Sequence, residues 1–191
     1  MEFGWKRIWQ LYGLSELFSK KNKLFYFSIS VVLLVLILLL ILNHKDDLVY
    51  HLLNNLIDDS ISIFPTLLGF NLGAYALIIG FLTNDNLRKA VIEGKEEESK
   101  NSLERISSVF AINIITQAVT LLCAFLIKEF MQITQTVILS LSYVKVINYL
   151  TFESMLFLSL YSIALVIQNA INVFDFNQLF TYFSTKPPEK K

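Results

Sequence analysis

Cysteine is almost absent from this chain. Cys123 stands alone inside an apolar run, which excludes a disulfide framework and a cysteine-built metal site. A lone cysteine of this kind is read as a small core hydrophobe. There are two histidines, His44 and His51, with Asp46, Asp47, Asp58 and Asp59 nearby. Their spacing matches no metal-ligand motif, so no metal site is expected. The sequence contains no phosphate-binding glycine loop of the GxxxxGK(S/T) type, no HExxH, no GxSxG and no CxxC. The expectation is therefore a protein that is not an enzyme, with no catalytic residues and no cofactor. Charge of one sign is not in excess either. Sixteen Lys and Arg balance sixteen Asp and Glu, which argues against direct nucleic-acid binding driven by bulk positive charge. Proline is scarce, at three residues, and two of these lie in the tail.

Apolar sequence is what the chain has in quantity. It is 54% hydrophobic with a mean hydropathy of +0.56, too high for an ordinary soluble domain. Runs of about 20 apolar residues are the signature of a membrane helix. Four such spans are read, at about 24–42, 63–82, 107–127 and 150–174. The fold class expected is an all-α integral membrane protein with a transmembrane domain over 24–182. The first apolar run is too long for the core of a cleavable signal peptide. It contains VVLLVLILLLIL from Val31, with no Gly, Pro or charge, and reads as the most lipid-exposed helix.

Residues 1–23 precede it. Trp5, Ile8, Trp9, Tyr12, Leu14, Leu17 and Phe18 recur at three- and four-residue steps between Lys6, Arg7, Gln10 and Glu16. That pattern predicts an amphipathic helix lying in the headgroup region. Residues 43–60 alternate acidic and aliphatic positions at helical spacing and predict a short helix on the far membrane face. Pro65 is tolerated in a first helical turn, so the second span is expected to start near Ile63, capped by Ser60 or Ser62. Residues 128–149 hold one apolar patch too short to span, which predicts a surface-lying or re-entrant piece.

The second span carries the most informative pattern. Gly69, Gly73, Ala76 and Gly80 recur at i, i+4, i+7 and i+11 and form one stripe of small residues on a helix. Lipid tails give helices no hydrophobic reason to associate, and small residues let two backbones approach. Three glycines cost on the order of 1 kcal/mol each relative to alanine, so the stripe reads as a packing surface. It serves either the chain's own bundle or a subunit interface. In the third span Asn113, Gln117, Thr120 and Ala124 share a stripe, and in the fourth Gln168 and Asn172 share a face with Tyr161 and Asp175. Polar side chains at membrane depth are expected to face protein. In an oligomer they could instead line a pore. The span centres carry no charge, unlike those of most transporters.

Residues 83–106 form the one strongly charged stretch. It reads as a solvated linker or as a docking surface for a soluble partner, with Lys95, Lys100 and Arg105 as its candidate contacts. Lys and Arg number 5 in the N-terminal segment, 5 in this loop and 3 in the tail 183–191, against 1 and 2 in the other connectors. The positive-inside rule then places both termini and the charged loop in the cytoplasm.

The stretch LLGFNLGAYALIIGFLTNDNLRKAV from Leu67, the charged loop after it and the polar stripe of the third span together resemble small four-span bacterial inner-membrane proteins. These are of the KwaA type, the membrane subunits of Kiwa anti-phage defence systems. The resemblance covers most of the chain and is specific around Leu67–Val91. It implies a homo-oligomer in the lipid bilayer that senses phage infection and works with a cytosolic protein partner that binds DNA. No residue of a known site carries over. Two other functions fit the residues: a pore-forming or membrane-disrupting defence effector, and a small transporter.

Overall fold

A computed structural model describes residues 22–42, 48–82, 96–134 and 141–185. Each of these stretches is helical: α1 Lys23–Leu42, α2 Leu48–Leu82, α3 Glu96–Thr134 and α4 Leu141–Thr185. All four are long and apolar enough to cross a membrane, over Lys23–Ile41, Leu48–Gly80, Ser107–Ile133 and Tyr143–Gln178. The expected N-terminal amphipathic segment and the end of the tail lie outside the described residues.

The helices are longer than the apolar runs predicted, and three expectations are corrected. First, α2 does not begin near Ile63; the connector helix and the second span are one helix with Pro65 inside it. A proline ring removes one ladder bond and crowds the carbonyl four residues back. Pro65 is exposed, so that crowding falls on the outer face of the helix and not in its packing seam. Second, Ser60 is not a cap. Its hydroxyl donates to the Leu56 carbonyl at 2.7 Å, which a residue within a helix can do and a helix start cannot. Third, residues 128–134 and 141–149 are not a separate surface or re-entrant piece but the end of α3 and the start of α4, while 135–140 lie outside the described residues. α1 starts where a cap is available: the Phe25 N–H donates to Asn22 Oδ1 at 3.2 Å.

A seven-residue repeat explains why α2, α3 and α4 form one bundle. Ile57, Phe64, Asn71 and Ile78 are buried on α2, Phe110, Gln117 and Ala124 on α3, and Met155, Ser162, Asn169 and Phe176 on α4. Each set recurs every seventh residue, the period that keeps one seam facing its neighbours along left-handed supercoiled helices. In lipid the gain comes from dispersion across close contacts and not from the hydrophobic effect. The largest fully buried side chains are Phe64 and Phe110, and the Phe110 ring packs on Tyr75 with centroids 5.8 Å apart. Leu53, Ile57, Ala124, Phe152 and Met155 close the other end of the core.

α1 joins from outside, as its featureless sequence predicts. It is the least buried of the four and packs on α4. Phe25 makes edge contacts to Phe157 and Tyr161, at 5.6 and 5.8 Å between centroids, and Asn22 Nδ2 donates to the Tyr161 hydroxyl at 3.5 Å.

The helices are staggered. Asn22 meets Tyr161, and Ser60 meets Ser159, so these four residues share one height. From there α1 runs along the first half of α4, with Leu36 and Leu40 opposite Lys145–Leu150. The stretch Ile61–Leu82 of α2 runs along the second half, with Asn71 opposite Asn169. At 1.5 Å per residue α4 alone is about 68 Å long, roughly twice a 30 Å hydrocarbon core. Near the shared height Lys128 Nζ binds Asp58 Oδ1 at 2.7 Å. Both side chains are well exposed, so this pair is worth about 0–1 kcal/mol and marks a polar level more than it holds the fold.

Candidate functional site

The seven-residue seam should be aliphatic throughout, and in the middle of the bundle it is not. Asn71 donates from Nδ2 to Gln117 Oε1 at 2.9 Å, and Asn169 Nδ2 donates to Asn71 Oδ1 at 3.2 Å. One amide from each of three helices is thereby joined, and all three are fully buried. Toward one end of the bundle the polar thread continues through Thr120 and Ser162, 3.0 Å apart, and then Ser60 and Ser159, 3.3 Å apart. Toward the other end lies Asn113, one turn from Gln117 on the same face and equally buried.

Capacity remains in this thread. Asn113 Nδ2 and Oδ1, Gln117 Nε2 and Asn169 Oδ1 are buried with no hydrogen-bond partner among the described residues. Both carboxylate oxygens of Glu153 are in the same position. Carboxamides are uncharged and carry a donor and an acceptor each, so three of them can satisfy one another in a way that carboxylates could not. The hydroxyls of Thr116 and Thr120 donate back to the carbonyls of Ile112 and Thr116, both at 2.8 Å, which keeps them paired at membrane depth.

The sequence-predicted polar stripe is therefore brought together in part. Asn113, Gln117 and Thr120 face inward, as expected of polar groups in lipid. Gln168 and Asn172 do not enter the cluster. They are half-buried and bond each other, Gln168 Nε2 donating to Asn172 Oδ1 at 3.2 Å. Asn71 and Asn169, which complete the cluster, were not anticipated. The signal was available, since each is an amide inside a long apolar run and each lies seven residues from another seam position, Phe64 and Ser162. Ser60, Ser159 and Ser162 gave a weaker signal, because serine is common in membrane helices for packing alone.

The small-residue stripe has the opposite orientation. Gly69, Gly73, Ala76 and Gly80 are all exposed. A Cβ placed on Gly69, Gly73 or Gly80 would meet nothing within 4 Å among the described residues. Gly73 stands two residues from Asn71, about 200° around the helix, so a seam built on Asn71 turns Gly73 away. Among the described residues, the chain's own bundle does not close on Gly69, Gly73 or Gly80. α2 packs there through Leu53, Ile57, Phe64, Asn71, Ala74 and Ile78 instead.

The remaining candidates lie at the edge of what is described. Lys95 is outside the described residues, and Lys100 and Arg105 fall in the first turns of α3. Among the described residues no three His, Cys, Asp or Glu side chains gather to hold a metal ion. Cys123 is a half-buried free thiol against the core. No protein-family model, no curated protein and no solved structure matches the chain.

Proposed function

We propose that this chain is an oligomeric scaffold or sensor subunit of a bacterial inner membrane, of the anti-phage kind that the sequence resemblance implies, which docks a cytosolic protein through residues 83–106. One observation carries the reading. Asn71, Gln117 and Asn169 are turned inward and joined to each other within a single chain, while the small-residue stripe is turned outward with room beside it among the described residues. A pore formed between subunits requires the reverse, with polar groups on a shared surface and small residues free to pack inside. The amide cluster thus holds the bundle in register and leaves the outer face of α2 for a second copy. Both termini and the charged segment lie on the cytoplasmic side in this reading, and the partner, not this chain, handles nucleic acid.

Charge reversal of Lys95, Lys100 and Arg105 to Glu tests the docking part. Co-purification of the partner is expected to be lost while the chain still inserts in the membrane and keeps its oligomeric state. Unchanged co-purification would remove 83–106 as the docking surface.

A further inference from the structure

The row of amides across the bundle has two open ends of opposite kind. Asn169 donates to Asn71, and Asn71 donates to Gln117, so both bonds point the same way. The row therefore ends on an acceptor, Asn169 Oδ1, and on a donor, Gln117 Nε2. Asn113 carries the complement of both, in Nδ2 and Oδ1. Register brings it to the same level. α3 and α4 run antiparallel, with Thr120 meeting Ser162 and Ala124 sharing a cluster with Phe152 and Met155. Asn113 lies seven residues before Thr120, and Asn169 seven residues after Ser162. Equal steps in opposite directions set the two asparagines side by side across the seam. Asn71, Asn113, Gln117 and Asn169 are all 0% exposed, so bulk solvent reaches none of them. Even so, the four remaining polar atoms bond neither one another nor any other described residue.

We propose that these atoms are a binding site for one water molecule, which bridges Gln117 Nε2, Asn169 Oδ1 and the Asn113 amide and closes the row into a ring. Buried water typically makes about three hydrogen bonds to polar groups that lack other partners, and it both donates and accepts. The mixture of partners selects it. Two of the free atoms are N–H donors and two are carbonyl oxygens, a set that suits a neutral molecule with both functions. A hard cation such as Ca²⁺ takes about six to eight oxygens, and the free oxygens here are two. The same two oxygens oppose an anion. The water is held singly. On one side Thr120 and Ser162 meet directly at 3.0 Å, and on the other Phe110 is fully buried with its ring on Tyr75. It is thus a structural ligand and no link in a path. The site lies inside one chain and is independent of what that chain docks or assembles with.

The test is a high-resolution structure of the full chain in lipid nanodiscs, read together with thermal melts. One isolated density peak is expected among Asn113, Gln117 and Asn169, at about 2.7–3.2 Å from the named atoms. The melt should be the same in sodium, potassium and caesium chloride. Asn113→Gln, one methylene longer, carries its amide into the water's place, so the peak should vanish while the melt is kept. Asn113→Leu removes the amide and should lose the peak and lower the melt by a few degrees. If that variant does not fold, the native density and Asn113→Gln still decide. Three results would each overturn the site. They are direct amide-to-amide contact with no peak between, a melt raised by one alkali cation over the others, which would make the ligand an ion, and a peak that persists in Asn113→Gln.

Discussion

Gly73→Leu is expected to convert the assembly to monomers in mild detergent while leaving the single-chain bundle at least as stable as before. Two effects act at this position, and the structure separates them. Within the chain, a Cβ at position 73 meets nothing within 4 Å among the described residues, so no clash with them opposes the substitution. Leucine is also the better helix former by roughly 0.5–1 kcal/mol, so the isolated chain should melt slightly higher. Between chains, four leucine heavy atoms would stand where the proposed interface brings in a neighbouring backbone. Dispersion falls off so steeply that a gap of about 1 Å forfeits a quarter to a half of each contact. Leu77→Ala, also on the outer face, removes atoms without holding helices apart and should weaken assembly far less. Native mass or cross-linking reads the oligomer, and a fold-sensitive melt reads the bundle. A lower melt with the oligomer intact would return the stripe to packing within one chain. An unchanged oligomer with an unchanged or raised melt would leave it facing lipid.

That experiment is sharper than the sequence alone allows, and the reason is the phase of α2. The stripe Gly69, Gly73, Ala76, Gly80 and the seam Phe64, Asn71, Ile78 are both legible as periodic patterns in the same run. Periodicity states that each set shares a face. It does not state which face meets the rest of the chain. Asn71 decides it, because an amide in lipid needs a partner more than a glycine needs a neighbour. The number of helices long and apolar enough to span, and the inward turn of Asn113, Gln117 and Thr120, followed from apolar length and polarity. Helix ends did not. The charged turns Glu96–Ser102 and Lys128–Thr134 belong to α3, and hydropathy reports where a helix leaves lipid, not where its backbone stops. The stagger of α1 against α2 was beyond reach for a similar reason. It depends on single contacts, Asn22 to Tyr161 and Ser60 to Ser159, between residues that no local pattern links.

Asn71→Leu is expected to destabilise the bundle by about 1–3 kcal/mol, with most of that loss recovered when its partners are replaced too. Asn71 uses both ends of its amide, donating to Gln117 and accepting from Asn169. Leucine is close in volume, so little cavity opens and the effect is mainly polar. It orphans Gln117 Oε1 and Asn169 Nδ2 in an interior where Gln117 Nε2 and Asn169 Oδ1 already have no partner among the described residues. Interhelical hydrogen bonds in membranes average about 0.6 kcal/mol and reach about 1.7, so two lost bonds set the lower part of the range. Two stranded buried amides set the upper part. Replacing Asn71, Gln117 and Asn169 together with leucine removes the orphans and should recover most of the loss. What the triple variant should not recover is a single register, since a seam without polar groups accepts slipped pairings of the three helices. A detergent or thermal unfolding series on the three chains measures the first point, and the width of the transition measures the second. A neutral Asn71→Leu would show that the cluster contributes nothing to the fold.

The central claim is that the polar thread is sealed inside each chain and carries no water-filled path. Its most direct test uses the single native cysteine. In a Cys123→Ala background, Asn113→Cys, Thr120→Cys and Tyr143→Cys are each introduced and treated in intact membranes with a water-soluble maleimide that does not cross lipid. Tyr143 is 72% exposed at the start of α4 and serves as the reactive control. Positions 113 and 120 are fully buried. The account predicts labelling at 143 and none at 113 or 120 above the cysteine-free background. Labelling at 113 and 120 to the level of 143 would contradict it and would mean that Asn113, Gln117 and Thr120 line a pore.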